Sequence, residues 1–216
     1  AVAAPDEATA EEALDLIEVE YEPLPAVFDV EEALAEGAPI LHEGPRSLAS
    51  RRPDILERQP GFEGTNVIHL FKQRKGDIEA GFAEADDIIE QTYYSPPVQH
   101  VPMEPHVVVA KWADTRLTLW DSTQAPNWVQ IELANLFKRP TSDVRVIVGT
   151  LGGGYGGKID PSIEPIAAWL ALKSKKPVRL ALKRDEEFFT HTKHAARVKL
   201  RTGFKRDGTL VAHQAT

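Results

Sequence analysis

The run Thr150-Leu-Gly-Gly-Gly-Tyr-Gly-Gly-Lys-Ile-Asp160 places five glycines, one aromatic residue and one lysine between a strand-like and a helix-like stretch. Glycine costs an element interior roughly 0.5–1 kcal/mol relative to alanine, so such a run is a loop. Its backbone can approach a ligand closely and turn N–H groups toward an anion or an oxo group. A loop that only flexes has no need of Tyr155. The segment therefore reads as a backbone cradle for an oxygen-rich ligand beside that ring.

Two phosphate motifs compete for these residues. Gly152 to Lys158 fits G-x-x-x-x-G-K, but Ile159 stands where a P-loop needs Ser or Thr for magnesium. Gly152, Gly154 and Gly157 also fit G-x-G-x-x-G. Against that reading, Arg145 interrupts the apolar run 143–148, and the next helix is expected only from Asp160-Pro161. Both are near misses.

Other segments accompany the loop: His100-Val-Pro-Met-Glu-Pro105, Ser122-Thr-Gln-Ala-Pro126, and Pro177-Val-Arg-Leu with Arg184-Asp-Glu-Glu187. Together, and in this order, they resemble the molybdenum hydroxylases, the xanthine dehydrogenase and aldehyde oxidase family. Leu16 to Ala26 is similar to the end of the hammerhead-like domain that precedes the family's cofactor domain. The resemblance implies three stretches: residues 1–43 as the end of that domain, 44–64 as a linker, and 65–216 as the first part of the molybdenum-cofactor-binding domain. It further implies a piece of a longer catalytic subunit that hydroxylates an aldehyde or N-heterocycle with water as oxygen source.

Carried over residue by residue, the resemblance puts Gly154, Tyr155, Gly156 and Gly157 against a molybdenum–molybdopterin cofactor, with the Gly156 backbone near a metal oxygen ligand. Gln124 is a further candidate contact, although it could equally cap the helix after Pro126. Gln99 stands one residue from the place of a metal-proximal glutamine, which here is Val98. Ile159 replaces a glutamate found in purine-oxidising members. No catalytic residue is named within these 216 residues; the usual glutamate base is expected outside them. Iron–sulfur and flavin (FAD) centres are expected on partner subunits or domains. The alternatives are a nucleotide-binding module built on the same loop and an excised, inactive fragment.

Composition agrees with a cytoplasmic enzyme subunit. Cys is absent, so the chain offers no thiolate to an iron–sulfur cluster. A net charge of −8 argues against general nucleic-acid binding, and no apolar run approaches the ~18 residues of a membrane span. Residues 1–43 lack Lys and Arg, whereas 173–206 is rich in both. These are either two solvated faces or docking partners.

The periodicities predict an α+β chain. Helices are expected from Thr9, from Asp29 to Gly37, between 73 and 87, after Pro126 and after Pro161. Ala13, Leu14 and Ile17 form an apolar stripe on the first. Strands are expected at 18–21, 65–73, 87–95 and 143–148, with hairpins turning at Asp114-Thr115 and Asp207-Gly208. His191 and His194 are three apart, a spacing compatible with metal ligation on a helix, but the segment around them reads as irregular, with a structural or surface role. His100 and Glu104 shape a kinked chain rather than forming an acid–base pair. Asp185, Glu186 and Glu187 read as a solvated acidic turn.

Overall fold

A computed structural model of the protein describes residues 1–41, 64–67 and 70–216. The helices are α1 (Glu7–Asp15), α2 (Val30–Leu34), α3 (Ile78–Ala83), α4 (Pro126–Leu136), α5 (Glu164–Ser174) and α6 (Arg184–Glu187). The strands are β1 (Asp87–Ser95), β2 (Val98–Gln99), β3 (Val107–Ala113), β4 (Arg116–Asp121), β5 (Val144–Ile147), β6 (Val178–Ala181), β7 (Thr192–Lys193), β8 (Ala196–Phe204) and β9 (Leu210–Ala215). This is an α+β arrangement with one mixed four-stranded sheet and one antiparallel three-stranded sheet. The described chain falls into two units, one built from 1–24 and 99–192, the other from 25–41, 64–98 and 193–216.

In the first unit four strands lie in the order β5-β4-β3-β6. The β3–β4 hairpin turns at Asp114, whose φ of 54° is the left-handed conformation that Asp tolerates. β6 adds antiparallel to β3, and β5 adds parallel to β4. One face is apolar because the strand period of two brings Val108 and Ala110 together with Leu117 and Leu119. Helices α4 and α5 cover that face with Val129, Leu133 and Ala134, and with Ala167, Ala168 and Ala171. The small α5 face lets the helix come close, and Trp112 Nε1 reaches across to donate to the Ala168 carbonyl at 2.8 Å. Trp112, Phe137 and Trp169 continue the contact, edge-to-face and then stacked. Pro126 opens α4 at its first turn, where a missing N–H costs nothing.

In the second unit β8 lies between β1 and β9, antiparallel to both, with Gly208 at the turn. Helix α3, capped by Asp77, packs on β8 and β9 through Phe82. The approach requires glycine: a Cβ at Gly81 would lie 2.7 Å from the Val211 carbonyl, and one at Gly203 would lie 3.0 Å from the Ala85 Cβ. The Asn66 carboxamide gathers residues 33–41 by accepting from Leu41 N–H and donating to the Ala33 and Pro39 carbonyls.

Several local expectations change. Helix α1 starts at Glu7 because Asp6, not Thr9, is its N-cap and accepts from Thr9 N–H at 2.9 Å. Its predicted stripe stays outside: α1 buries no residue, and Leu14 and Ile17 are exposed. Residues 18–21 and 70–73 form no strand. His69 and most of the 44–64 linker lie outside the described residues. The opposite charge of the chain's two ends is put to use within each unit, as Glu11 pairs with Lys183 and Glu31 with Arg197. Both pairs are solvent-exposed, where such contacts add little to stability.

The sheet–helix core is what holds the first unit together. Leu119→Ala should therefore lower its stability by about 2–5 kcal/mol, from lost transfer energy plus the cavity left behind. Urea unfolding monitored by tryptophan fluorescence measures this; a loss below about 1 kcal/mol would show that the site collapses freely.

Candidate functional site

β5 runs into the glycine loop, which ends in a tight turn. Gly157 N–H donates to the Gly154 carbonyl at 2.8 Å, and both central residues, Tyr155 and Gly156, have left-handed φ of 54° and 97°. That pair of angles is the signature of a type I′ turn. Glycine suits the second position, whereas Tyr155 is strained there and carries its ring 71% exposed.

Gln124 fastens the turn. Its Oε1 accepts from Gly156 N–H at 2.9 Å and Lys158 N–H at 3.4 Å, while its own N–H donates to the Lys158 carbonyl at 2.8 Å. The side chain fits only because Gly154 has no Cβ, which would lie 2.3 Å from Oε1. Backbone N–H groups face the carbonyl end of the carboxamide, so its NH2 group is turned away from them. The alternative role fails: α4 has no side-chain cap at its start.

Below the turn, Lys158 is 1% exposed and its three ammonium hydrogens meet three acceptors. These are the Glu104 carbonyl at 2.7 Å, Glu104 Oε2 at 3.0 Å and Ser122 Oγ at 2.7 Å. Glu104 Oε2 also accepts from Ser122 Oγ at 2.6 Å and Gly152 N–H at 3.0 Å, and Glu104 N–H returns a bond to the Gly152 carbonyl. Burial pushes the Glu104 carboxyl up, but the donors from Ser122, Gly152 and Lys158 outweigh it and hold the group below its usual value. A lysine committed in this way cannot serve a phosphate, which removes the main support for the P-loop reading.

Comparisons with known proteins give the family. Residues 61–216 match the model of the molybdopterin cofactor-binding domain. The chain is 37% identical over 230 residues to the probable hypoxanthine oxidase XdhD of Escherichia coli O157:H7, covering 98% of this chain and 24% of that protein. It is 34% identical over 207 residues to the nicotinate dehydrogenase large molybdopterin subunit of Eubacterium barkeri, covering 94% of this chain and 44% of the relative. Among solved structures, quinoline 2-oxidoreductase from Pseudomonas putida 86 superposes with a TM-score of 0.80 at 29% identity, over 98% of this chain and 25% of that one. The chain belongs to the molybdopterin cofactor-binding domain family. It spans about a quarter of the length of the first of these relatives and under half of the second.

Within this cofactor-binding domain, Gly154, Tyr155, Gly156, Gly157 and Gln124 come together, whereas Gln99 is engaged elsewhere. Its Nε2 donates to the Glu187 carbonyl at 2.9 Å, and its Oε1 accepts from Val101 N–H. His100 lies along the turn, where a Cβ on Gly157 would be 3.0 Å from its Nδ1. The Gly156 amide, expected toward a metal oxygen ligand, donates to Gln124 instead. Glu187 is not solvated: it is fully buried in α6 and holds His106. His191 and His194 do lie in irregular chain, and among the described residues no cluster of metal-ligating side chains occurs.

Two further acids of this domain are buried, and the strand period marks the first of them. Asp121 is buried because it continues the two-residue period of Leu117 and Leu119. Glu164, at the start of α5, is 2% exposed and accepts from Ser162 N–H at 2.7 Å. Burial first, then the neighbouring Glu164, push the Asp121 carboxyl up to about 8, against the pull of Ser122 N–H and Lys158. Below about pH 4 this carboxyl is protonated whether the chain is folded or not. Between about 4 and 8 only the folded chain keeps its proton, so stability falls as pH rises, by up to about 1.4 kcal/mol per unit of pKa difference. Asp121→Asn should flatten that decline. Melting temperatures measured from pH 4 to pH 8 check it, and an unchanged slope would assign the decline to other groups.

Proposed function

We propose that this chain is the part of a molybdenum hydroxylase catalytic subunit that grips a molybdenum–molybdopterin cofactor, with residues 152–158 and Gln124 as the grip. The observation that carries the reading is the orientation of Gln124. Two loop amides fix its Oε1, so its NH2 donors are turned away from them, and among the described residues they meet no protein acceptor. The amides of Gly153, Gly154 and Tyr155 likewise donate to nothing among the described residues. A ligand rich in oxygen acceptors suits such a donor set.

When bound, the cofactor supplies hydroxylation with water as the oxygen source, the substrate carbon losing a hydride. This chain's own part is to bind and orient. Gln124 and the loop amides hold acceptor atoms in place, the Lys158 network keeps the loop from shifting, and Tyr155 lays an aromatic surface at the rim. Preorganised donors of this kind need no reorganisation during reaction. The general base lies elsewhere in the full subunit. An aldehyde or an N-heterocycle is the substrate class; Ile159, half-exposed after the loop lysine, offers no carboxylate to a purine. Residues 1–43 are read as the end of a hammerhead-like domain. Without cysteine, this chain offers no thiolate to an iron–sulfur cluster, and we assign iron–sulfur and flavin centres to partner subunits or domains. Among the described residues no helix is long and apolar enough to cross a membrane.

Molybdenum and pterin analysis of the purified full-length enzyme tests the reading. Near-stoichiometric amounts of both are expected, and a nucleotide in their place would overturn it. Gly156→Val should then cut turnover by about a hundredfold or more, since valine resists a φ of 97° and the turn cannot form. Gln124→Leu should lower molybdenum content, whereas Tyr155→Phe should change little. Normal turnover and content in both Gly156→Val and Gln124→Leu would place the loop away from the cofactor.

A further inference from the structure

A second buried pair reaches the glycine loop independently of Lys158. Glu187 closes α6 and is 0% exposed; His106 precedes β3 and is 2% exposed. Glu187 Oε2 accepts from His106 N–H at 3.0 Å, and its Oε1 lies 2.7 Å from His106 Nδ1. The other ring nitrogen, Nε2, lies 3.1 Å from the Gly157 carbonyl. A carbonyl oxygen only accepts, so Nε2 carries a hydrogen and donates it. Glu187 is itself fixed through its backbone, whose carbonyl accepts from Gln99 Nε2 and Thr190 Oγ1.

The Gly157 carbonyl belongs to the same peptide unit as the Lys158 N–H. That one plane is therefore held at both ends, by His106 at its oxygen and by Gln124 Oε1, 3.4 Å away, at its nitrogen. Rotation of the plane would withdraw a donor from Gln124 and release the carboxamide that faces outward. A buried ionisable pair is a poor source of stability compared with an apolar pair of the same size. It is a good source of direction, because its donor can aim at only one acceptor.

We infer that His106, oriented by Glu187, is a positioning residue that sets the Gly157–Lys158 peptide plane and, through it, the Gln124 carboxamide. Its consequence for turnover rests on the cofactor reading above; its consequence for the loop does not. The group acts through the loop backbone and need not touch cofactor or substrate.

Two amide replacements separate this role from a merely structural one. The Gln carboxamide nitrogen reaches the place of the imidazole Nε2, so His106→Gln retains the donor to Gly157 and gives up the one to Glu187. The Asn nitrogen falls at the place of Nδ1, so His106→Asn does the reverse. Both variants, made in the full-length enzyme, are followed by hydrogen exchange of the peptide covering 152–158, by molybdenum content and by the paramagnetic resonance spectrum of the half-reduced metal. His106→Asn should speed loop exchange at least tenfold, alter the spectrum and lower kcat by about 10–100-fold at matched molybdenum content, in the range of supporting contacts around metal sites. His106→Gln should stay near wild type in all three. Equal behaviour of the two variants in loop exchange, or failure of both to fold, overturns the inference, whatever the enzyme binds. A wild-type enzyme without molybdenum overturns the cofactor reading instead and leaves the exchange comparison to decide the positioning role.

Discussion

The loop depends on one buried ammonium. Lys158 Nζ brings together the chain before β3, the residue after β4 and the end of the glycine run, through Glu104 and Ser122. An ammonium taken out of water without partners would be strongly unfavourable, so these acceptors and the lysine stand or fall as a set. The set also explains two glycines: Gly152 is pressed against the Glu104 side chain, where a Cβ would lie 2.4 Å from its Cβ, and Gly154 against Gln124. The motif's glycines therefore serve close approach from below as much as access from outside.

Much of this could be read in the sequence where signals were local. The hairpin at Asp114, the helix after Pro126 and strand β1 follow from turn residues and periodicity, which need only near neighbours. The glycine run marked a loop for the same reason. Where the outcome hinged on partners distant in the chain, local signals failed. The alternation of Val67, His69 and Phe71 looks like a strand over 65–73, yet 70–73 join no sheet. Glu187 sits in a run of acids that looks solvated, and only its meeting with His106, 81 residues away, removes it from water. Asp121 was the readable exception, since the phase set by Leu117 and Leu119 already pointed it inward.

Strain and support coincide in the turn. Tyr155 occupies a left-handed conformation that a non-glycine residue holds only at a cost of about 1–2 kcal/mol. Hydrogen bonds on either side over-determine that conformation: Gly156 and Lys158 to Gln124, Gly157 to Gly154, and His106 to Gly157. An exposed aromatic ring is thus carried on backbone that has little freedom. Rigid presentation of this kind suits a surface that must meet a large ligand without first reorganising.

The separations along the chain have a consequence for biogenesis. Glu104 meets Lys158 across 54 residues and His106 meets Glu187 across 81. A nascent chain synthesised as far as residue 160 contains every letter of the glycine motif, its lysine and His106, but not Glu187, the partner that orients His106 against the Gly157 carbonyl. Closing such loops is an entropic step that local helices and hairpins do not face. Glu187 can orient His106 only after α6 has been synthesised, so this last restraint on the turn comes from chain made later than the turn itself.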